Sequence, residues 1–271
     1  MPLFKNIPNF FTLLNLLFGC IAIVMVLQTG ETIVLIDDTN AQVVTLPEKI
    51  WQASLFIFAA AVIDFLDGFL ARAMKAQSEM GKQLDSLSDV VSFGVAPGMI
   101  LYQLLRIGFA NQENGLNVSI LVLLPAFIFT LSVAWRLAKF NISTNQASSF
   151  RGVPSPAAGL VVASFPLIIF YEYFGIQQLF INQWFLYAVI FFLSYLMVSD
   201  WRFMALKFKN FSFRDNALIY ILAVIAIAAI LVLEWFAVPV IFVFYVLFSI
   251  FSKEKQMPAT DQDKETRDIT V

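Results

Sequence analysis

Four aspartates sit in two short stretches of an otherwise apolar chain, Asp64-Phe-Leu-Asp67-Gly68-Phe-Leu-Ala71-Arg72 and Gly81-Lys-Gln-Leu-Asp85-Ser-Leu-Ser-Asp89. Ionisable groups in such segments are costly, so by default they mark a functional site. On an α-helix Asp67 lies about 60° back from Asp64, Gly68 about 40° forward and Ala71 about 20° back, which puts all four on one face. Gly81, Asp85 and Asp89 repeat that geometry at i, i+4 and i+8. Two helices that each carry two acids on one face can converge on one polycationic centre. Four carboxylates brought together in a partly dehydrated place repel one another, so either some are protonated or cations are bound. The chain has no histidine, which removes the commonest general base and the commonest zinc ligand. An oxygen-only donor set favours Mg2+ or Mn2+. Such a centre commonly clamps phosphate, with two ions at the attacking and leaving oxygens of a phosphoryl transfer. Gly68 and Ala71 lack bulk on the metal face and would let a nucleotide or diphosphate lie against the helix, while Arg72 could pair with phosphate oxygens. The competing reading is an interfacial ion-pair network beside small residues that merely pack helices. It suits an isolated pair of aspartates better than this whole array.

Composition sets the solvent around these residues. Of 271 residues 60% are hydrophobic and 13% charged, with a mean hydropathy of +0.81. A soluble domain carries about 25% charged residues, so this is an integral membrane protein. The single cysteine, Cys20, excludes an intrachain disulfide framework, and no basic tract with interleaved aromatics is present to take nucleic acid.

The elements that must position the acids follow from the apolar runs. The uncharged run ending at Gln28 reads as a first membrane helix, since it is too long for the apolar region of a cleaved leader and lacks a small-residue cleavage site. Thr12, Asn15 and Gly19 share one of its faces, and helix packing and ligand contact account for them equally well. Glu31 to Glu48 is a polar connection in which a hairpin turning at Asp38-Thr39-Asn40 is weakly signalled, and Asp37-Asp38 reads as a solvated turn. Helix two begins near Trp51. The rise from there to Asp64 is about 20 Å, which in a core about 30 Å thick brings the acids near the far interface. The link from Lys75 to Lys82 is short, so helices two and three are antiparallel neighbours with their acid-bearing ends together. Pro97 and Gly98 predict a kink or irregularity in helix three.

Further uncharged runs at Gly115–Trp135, Gly152–Tyr171, Ile181–Ser199, Asn216–Leu233 and Trp235–Ser252 complete eight candidate spans, the last two close enough for a tight hairpin or a re-entrant pair. The charged tail from Lys253 to Val271 lacks apolar periodicity and is expected to be disordered. Of the 17 Lys and Arg, all but Lys49 and Arg106 fall on one side of this topology. That asymmetry places both termini and the acid cluster in the cytoplasm.

The pattern Asp64-x2-Asp67-Gly68-x2-Ala71-Arg72-x8-Gly81-x3-Asp85-x3-Asp89 resembles, at every fixed position, the signature of the CDP-alcohol phosphatidyltransferase family. The resemblance implies an all-α polytopic membrane helix bundle whose six-helix core exchanges the CMP of a CDP-linked lipid for an alcohol, using two divalent cations, Mg2+ or Mn2+. It carries Asp64, Asp67 and Asp85 over as metal ligands and Asp89 as a ligand and the catalytic base. Gly68, Ala71, Arg72 and Gly81 would line the CDP pocket, with Thr12 and Asn15 from the first helix assigned to it as well. On this footing residues 1–200 form the catalytic core, 201–252 two additional transmembrane helices and 253–271 a cytoplasmic tail.

Other stretches resemble the bacterial and archaeal phosphatidylserine synthase branch of that family. They are Pro8-Asn9-Phe-Phe-Thr12-x2-Asn15-x3-Gly19, Ser88-Asp89-Val-Val-Ser92-Phe93-Gly94-Val-Ala96-Pro97, Arg136-Leu-Ala-Lys139-Phe140-Asn141 and Gly152-Val-Pro154-Ser155-Pro156. Lys139 departs from the branch, which more often has Arg, and Val153 from its usual Leu. The resemblance implies CDP-diacylglycerol as donor, L-serine as acceptor, a multi-pass position among the lipids of the cytoplasmic membrane, and a homodimer. Serine brings an ammonium, a carboxylate and a hydroxyl. We expect the link between helices four and five to meet them through Arg136, Lys139, Asn141 and Arg151, with Ser155 nearby. For each basic residue taken alone, an anchor for lipid phosphate is an equal reading. Acceptors that bring a phosphate, such as glycerol phosphate or inositol phosphate, would ask for more arginines. An intramembrane prenyltransferase lacks the Gly68, Ala71, Arg72 spacing, and an ion path would put its acids near the midplane.

Overall fold

In a computed structural model the described residues are 7–28, 31–37, 40–46, 49–74, 76, 78–110, 118–142, 150–172, 175–203 and 217–251. The tail from Lys253 lies outside them. Helix α1 (Ile7–Leu27) is apolar all round, and its buried stripe is Pro8, Thr12, Asn15, Gly19, Ala22 and Val26. The steps of three and four residues define the face turned to its neighbours. Strands β1 (Glu31–Asp37) and β2 (Asn40–Leu46) form the expected hairpin, in antiparallel register from Glu31↔Leu46 to Asp37↔Asn40. The proposed turn residues Asp38 and Thr39 lie outside the described residues.

Helix α2 (Ile50–Ala73) packs along α1, and α3 (Glu79–Ala110) follows after a short link. Ser78 caps α3, its Oγ accepting from the Gly81 N–H at 3.0 Å, and Glu79 stands in the first turn where the helix dipole favours an acid. The kink expected at Pro97 takes the form of a π-helical stretch, Val90–Val95, beginning directly after Asp89. Proline has no N–H for the carbonyl four residues back, and its ring crowds that carbonyl. The ladder widens accordingly, with the Ala96 N–H bonding to the Val91 carbonyl. The Gly94 carbonyl accepts from Thr130 Oγ1 at 2.9 Å, which ties the widened turns to the next helix.

A single turn, Ile120–Leu123, precedes α4 (Ala126–Ile142). Here the structure corrects the sequence reading. The apolar run stops at Trp135, but the helix continues, so Arg136, Lys139 and Asn141 sit on its last turns rather than in a link. Hydropathy marks where the apolar solvent ends, not where backbone hydrogen bonding ends, and cations suit a helix C-terminus. Strand β3 (Phe150–Arg151) then leads to α5 (Ser155–Phe170) and α6 (Gln183–Val198). Strand β4 (Arg202–Phe203) pairs antiparallel with β3, Phe150 opposite Phe203 and Arg151 opposite Arg202. Gly152, at a φ of 73° that only glycine takes without strain, turns its N–H to the Trp201 carbonyl at 2.9 Å. Helices α7 (Ala217–Leu233) and α8 (Ala237–Phe251) flank a turn, Glu234–Phe236, where a φ of 47° at Glu234 breaks the helix. The two pack against each other, as a tight hairpin requires.

Ile7–Leu27, Ile50–Ala73 and Glu79–Ala110 are long and apolar enough to cross a membrane, as is the apolar stretch Ile219–Ile250 that the break at Glu234 divides between α7 and α8, and Ser155–Phe170 and Gln183–Val198 are shorter apolar helices. The chain is therefore an all-α polytopic membrane bundle, with two small antiparallel ladders as accessories. Helix α3 is its hub, touching α1, α2, α4, α5 and α6. Ile57, Phe93, Ile100, Leu104 and Phe129 are fully or almost fully buried around it. Lipid tails solvate apolar side chains as well as protein does, so close packing and interhelical hydrogen bonds must hold such a bundle. Helices α1 and α3 show both. A Cβ on Gly19 would come within 2.9 Å of Ser92 Cα, so glycine sets their approach. Ser88 Oγ donates to the Thr12 carbonyl and Ser92 Oγ to the Asn15 carbonyl, each at 3.0 Å.

Candidate active site

The two acid-bearing helix ends meet as the short link requires. One carboxylate oxygen from each of Asp64, Asp67 and Asp85 lies within 4.8 Å of the others. Asp89 adjoins this trio through a side-chain contact with Asp64, and its Oδ1 accepts from Asn15 Nδ2 at 3.3 Å. Asp67 and Asp89 are only 5% and 7% exposed. Among the described residues no Lys or Arg forms an ion pair with these carboxylates, although Arg72 lies two turns from Asp64 on the same helix. That disfavours the ion-pair network as the reason for the cluster.

The donor set fits a divalent cation. Asp67 Oδ2 and Asn15 Oδ1 are buried acceptors with no hydrogen-bond partner among the described residues. Bare acceptors of this kind are expensive unless something positive completes them. Three carboxylates at this spacing, with no nitrogen or sulfur ligand among them, match a hard, oxygen-seeking ion.

A cleft of about 510 Å³ opens beside the cluster, its walls including Thr12, Asp67, Gly68, Ala71, Gly81 and Asp85. Gly68 settles what its small size is for. A Cβ there would meet nothing nearer than Arg72 Nη1 at 3.8 Å, so the missing side chain clears the cleft and is not needed for helix packing. Gly19 is the opposite case, a packing glycine. Thr12 lines the cleft and also touches Asp67, whereas Asn15 is not on the cleft wall and bonds Asp89 instead. Arg72 is exposed one turn beyond Gly68. The sequence reading gave no site role to six residues of the cleft wall, Ser78, Glu79, Lys82, Pro8, Asn9 and Ala76. The signal for the first two was present, since a serine followed by an acid before an amphipathic run marks a helix start.

The residues assigned to serine do not all converge. Asn141 Nδ2 donates to Ser86 Oγ at 2.8 Å and the Asn141 carbonyl accepts from Lys82 Nζ at 3.2 Å, so Asn141 fastens the end of α4 to α3. Lys139 Nζ is paired with Asp200 Oδ1 at 2.7 Å, away from the acid cluster. Arg136 and Ser155 do come together, Arg136 Nη1 donating to Ser155 Oγ at 3.2 Å. Arg136 also interacts electrostatically with Asp89, and its buried Nε has no partner among the described residues. The backbone of Arg151 lies in β3, and its side chain is outside what the structure describes.

A family model described as CDP-alcohol phosphatidyltransferase matches residues 5–195. Among curated proteins the chain is 34% identical over 205 residues to a CDP-diacylglycerol–serine O-phosphatidyltransferase of Helicobacter pylori, covering 73% of this chain and 78% of that protein. It is 35% identical over 181 residues to the protein of that name in Methanocaldococcus jannaschii, covering 67% and 74%. It is also 35% identical over 140 residues to the one in Bacillus subtilis, covering 50% and 74%.

Proposed function

The chain belongs to the CDP-alcohol phosphatidyltransferase family, and from that premise we propose that it transfers the phosphatidyl group of CDP-diacylglycerol to the hydroxyl of L-serine, releasing CMP. The observation that carries the reading is the junction of two features, an oxygen-only acid cluster and a cleft cleared of side chains at Gly68 and Ala71. The names of the similar proteins support serine as the alcohol.

In this reading Asp64, Asp67 and Asp85 hold Mg2+ or Mn2+, with Asp89 completing the set. When bound, such cations neutralise the diphosphate and favour attack at phosphorus. Gly68, Ala71, Gly81 and Thr12 seat the cytidine diphosphate, and Arg72 reaches its outer oxygens. Arg136, steadied by Ser155, faces the acceptor's carboxylate. Asp89 takes the proton of the serine hydroxyl, held at the right angle by Asn15. The serine oxygen bonds to the lipid-side phosphorus as the bond from that phosphorus to the CMP oxygen breaks. Lys139 and Asn141 fasten helix ends and so shape the pocket without touching serine.

The distribution of Lys and Arg supports a site on the cytoplasmic face of the cell membrane, with both termini on that side. Residues 1–200 would then be the catalytic core and 201–252 an addition to it. A homodimer is part of the same proposal, checked by the mass of the solubilised protein in light scattering.

The test is to give the purified chain CDP-diacylglycerol and Mn2+ or Mg2+ and follow CMP release with serine, glycerol phosphate and inositol phosphate in turn. Serine alone is expected to support turnover. Release with a phosphate-bearing alcohol instead would keep the family chemistry and overturn the acceptor.

A further inference from the structure

The walls of the cleft carry three carboxylates, Asp67, Glu79 and Asp85, and among the described residues a single Lys or Arg joins them, Lys82. A lysine with acids three residues away on either side ordinarily folds onto one of them. Lys82 follows Glu79 and precedes Asp85 by three, yet among the described residues it forms an ion pair with neither. Its Nζ donates instead to the Asn141 carbonyl at 3.2 Å, at the end of α4, where the helix dipole favours a cation. Asn141 is held in turn, its Nδ2 donating to Ser86 Oγ at 2.8 Å, and Ser86 Oγ donates to the Lys82 carbonyl at 3.2 Å. These three bonds close a ring between α3 and α4 and tether the end of a flexible four-carbon stem. An ammonium has three donors, so the ring leaves two for a ligand in the cleft. Because the stem is already ordered, little freedom is lost when that ligand arrives. The charge balance says what the ligand is. A diphosphate set against these carboxylates alone is repelled. Cations held by the acid trio offset Asp67 and Asp85, but Glu79 stands outside that trio, and Lys82 is the cation beside it.

We propose that Lys82 is a binding residue for the diphosphate of the donor, its ammonium pairing with phosphate oxygens while the Asn141 carbonyl holds it at the cleft wall. This rests on the reading of the cleft as the seat of the cytidine diphosphate. It also moves Asn141 to the donor's side of the reaction: the residue expected to meet serine steadies a phosphate-binding lysine instead. Lipid headgroups carry phosphate as well, but the place of Lys82 on the wall of the cleft favours the nucleotide.

The experiment uses the full chain in a phosphate-free detergent with Mn2+ present. Binding of CDP is followed by calorimetry, and that of cytidine, which has no phosphate, by displacement of CDP. Lys82→Gln keeps a donor for the Asn141 carbonyl and removes only the charge. It should weaken CDP about five- to thirtyfold, the effect of losing a hydrogen bond to a charged group. Cytidine affinity and the thermal midpoint should stay where they were, since Lys82 is exposed. Lys82→Arg, which keeps the charge, should keep most of the CDP affinity. If the unaltered chain binds CDP and Lys82→Gln binds it equally well, the role of Lys82 is overturned while the donor seat stands. If the unaltered chain does not bind CDP, the donor seat has failed and the proposal with it. Equal weakening of CDP and cytidine, or a matched fall in the thermal midpoint, would make Lys82 a clasp on α4 only. A CDP affinity that holds while the KM for CDP-diacylglycerol rises in liposomes of phosphatidylglycerol, but not of phosphatidylcholine, would make Lys82 an anchor for lipid phosphate and overturn the proposal.

Discussion

The two walls of the site are built differently. The donor wall comes from α1, α2 and the start of α3, consecutive helices whose polar residues interlock: Ser88 and Ser92 bond α1 carbonyls, and Asn15 bonds Asp89. The proposed acceptor wall draws on the end of α4 and the start of α5, joined by the Arg136–Ser155 bond, and on the β3–β4 pair that leads into α5. On the proposed donor side the bonds run directly from one helix to another across 74 to 77 residues of chain. On the proposed acceptor side Arg136 rests on Ser155, only 19 residues further along. The acid cluster is thus fixed by several long-range bonds between helices, and Arg136 on the acceptor side by a single short-range one.

The comparison can be broken first at the donor wall. Chelation of divalent ions should abolish CMP release altogether and addition of Mn2+ or Mg2+ restore it. A chelator-resistant activity would remove the reason for the Asp64, Asp67, Asp85 cluster. Next, Asp89→Asn should lower kcat by about 10²- to 10⁴-fold, the usual worth of a general base. Binding of CDP-diacylglycerol, followed by calorimetry, should survive; loss of binding would make Asp89 chiefly a metal ligand.

Gly19→Val should cost about 1–3 kcal/mol by overpacking the α1–α3 contact, read as a lower thermal midpoint. A larger effect on kcat than on stability would show that the contact serves the chemistry directly. The smallest effect belongs to Lys139→Ala. Its pair with Asp200 is largely exposed, with side chains 45% and 67% accessible, so about 0–1 kcal/mol is expected. The serine KM should not move, and a clear rise would return Lys139 to the pocket.

The same contrast explains what could be read from the sequence. The donor wall was legible because helical spacing alone puts Asp64, Asp67, Gly68 and Ala71 on one face, and a short link turns the next acid pair to meet them. The distortion at Pro97 was legible from covalent geometry. The acceptor wall was not, because a charge such as Lys139 carries no mark of whether its partner is a substrate or Asp200. The end of α4 was misplaced because a drop in hydropathy was taken for a helix end. Nothing local to Tyr245 distinguishes it from the other aromatics of an apolar helix. Only the fold brings it onto Phe203.

Helix α3 has a consequence for how the protein is made. It is the least apolar of the four long spans and the one most enclosed by protein. Its first turns carry Asp85 and Asp89 into a region where lone carboxylates are unwelcome. The usual order in membranes, in which each helix inserts alone and the helices associate afterwards, suits α1 but not α3. Asn15 of α1 bonds Asp89, and α1 carbonyls accept from Ser88 and Ser92, so α1 satisfies polar groups that α3 would otherwise carry into the bilayer alone. Biogenesis of the bundle should therefore require α1 to be waiting beside the insertion site when α3 emerges, so that catalytic competence and stable insertion are acquired in the same step.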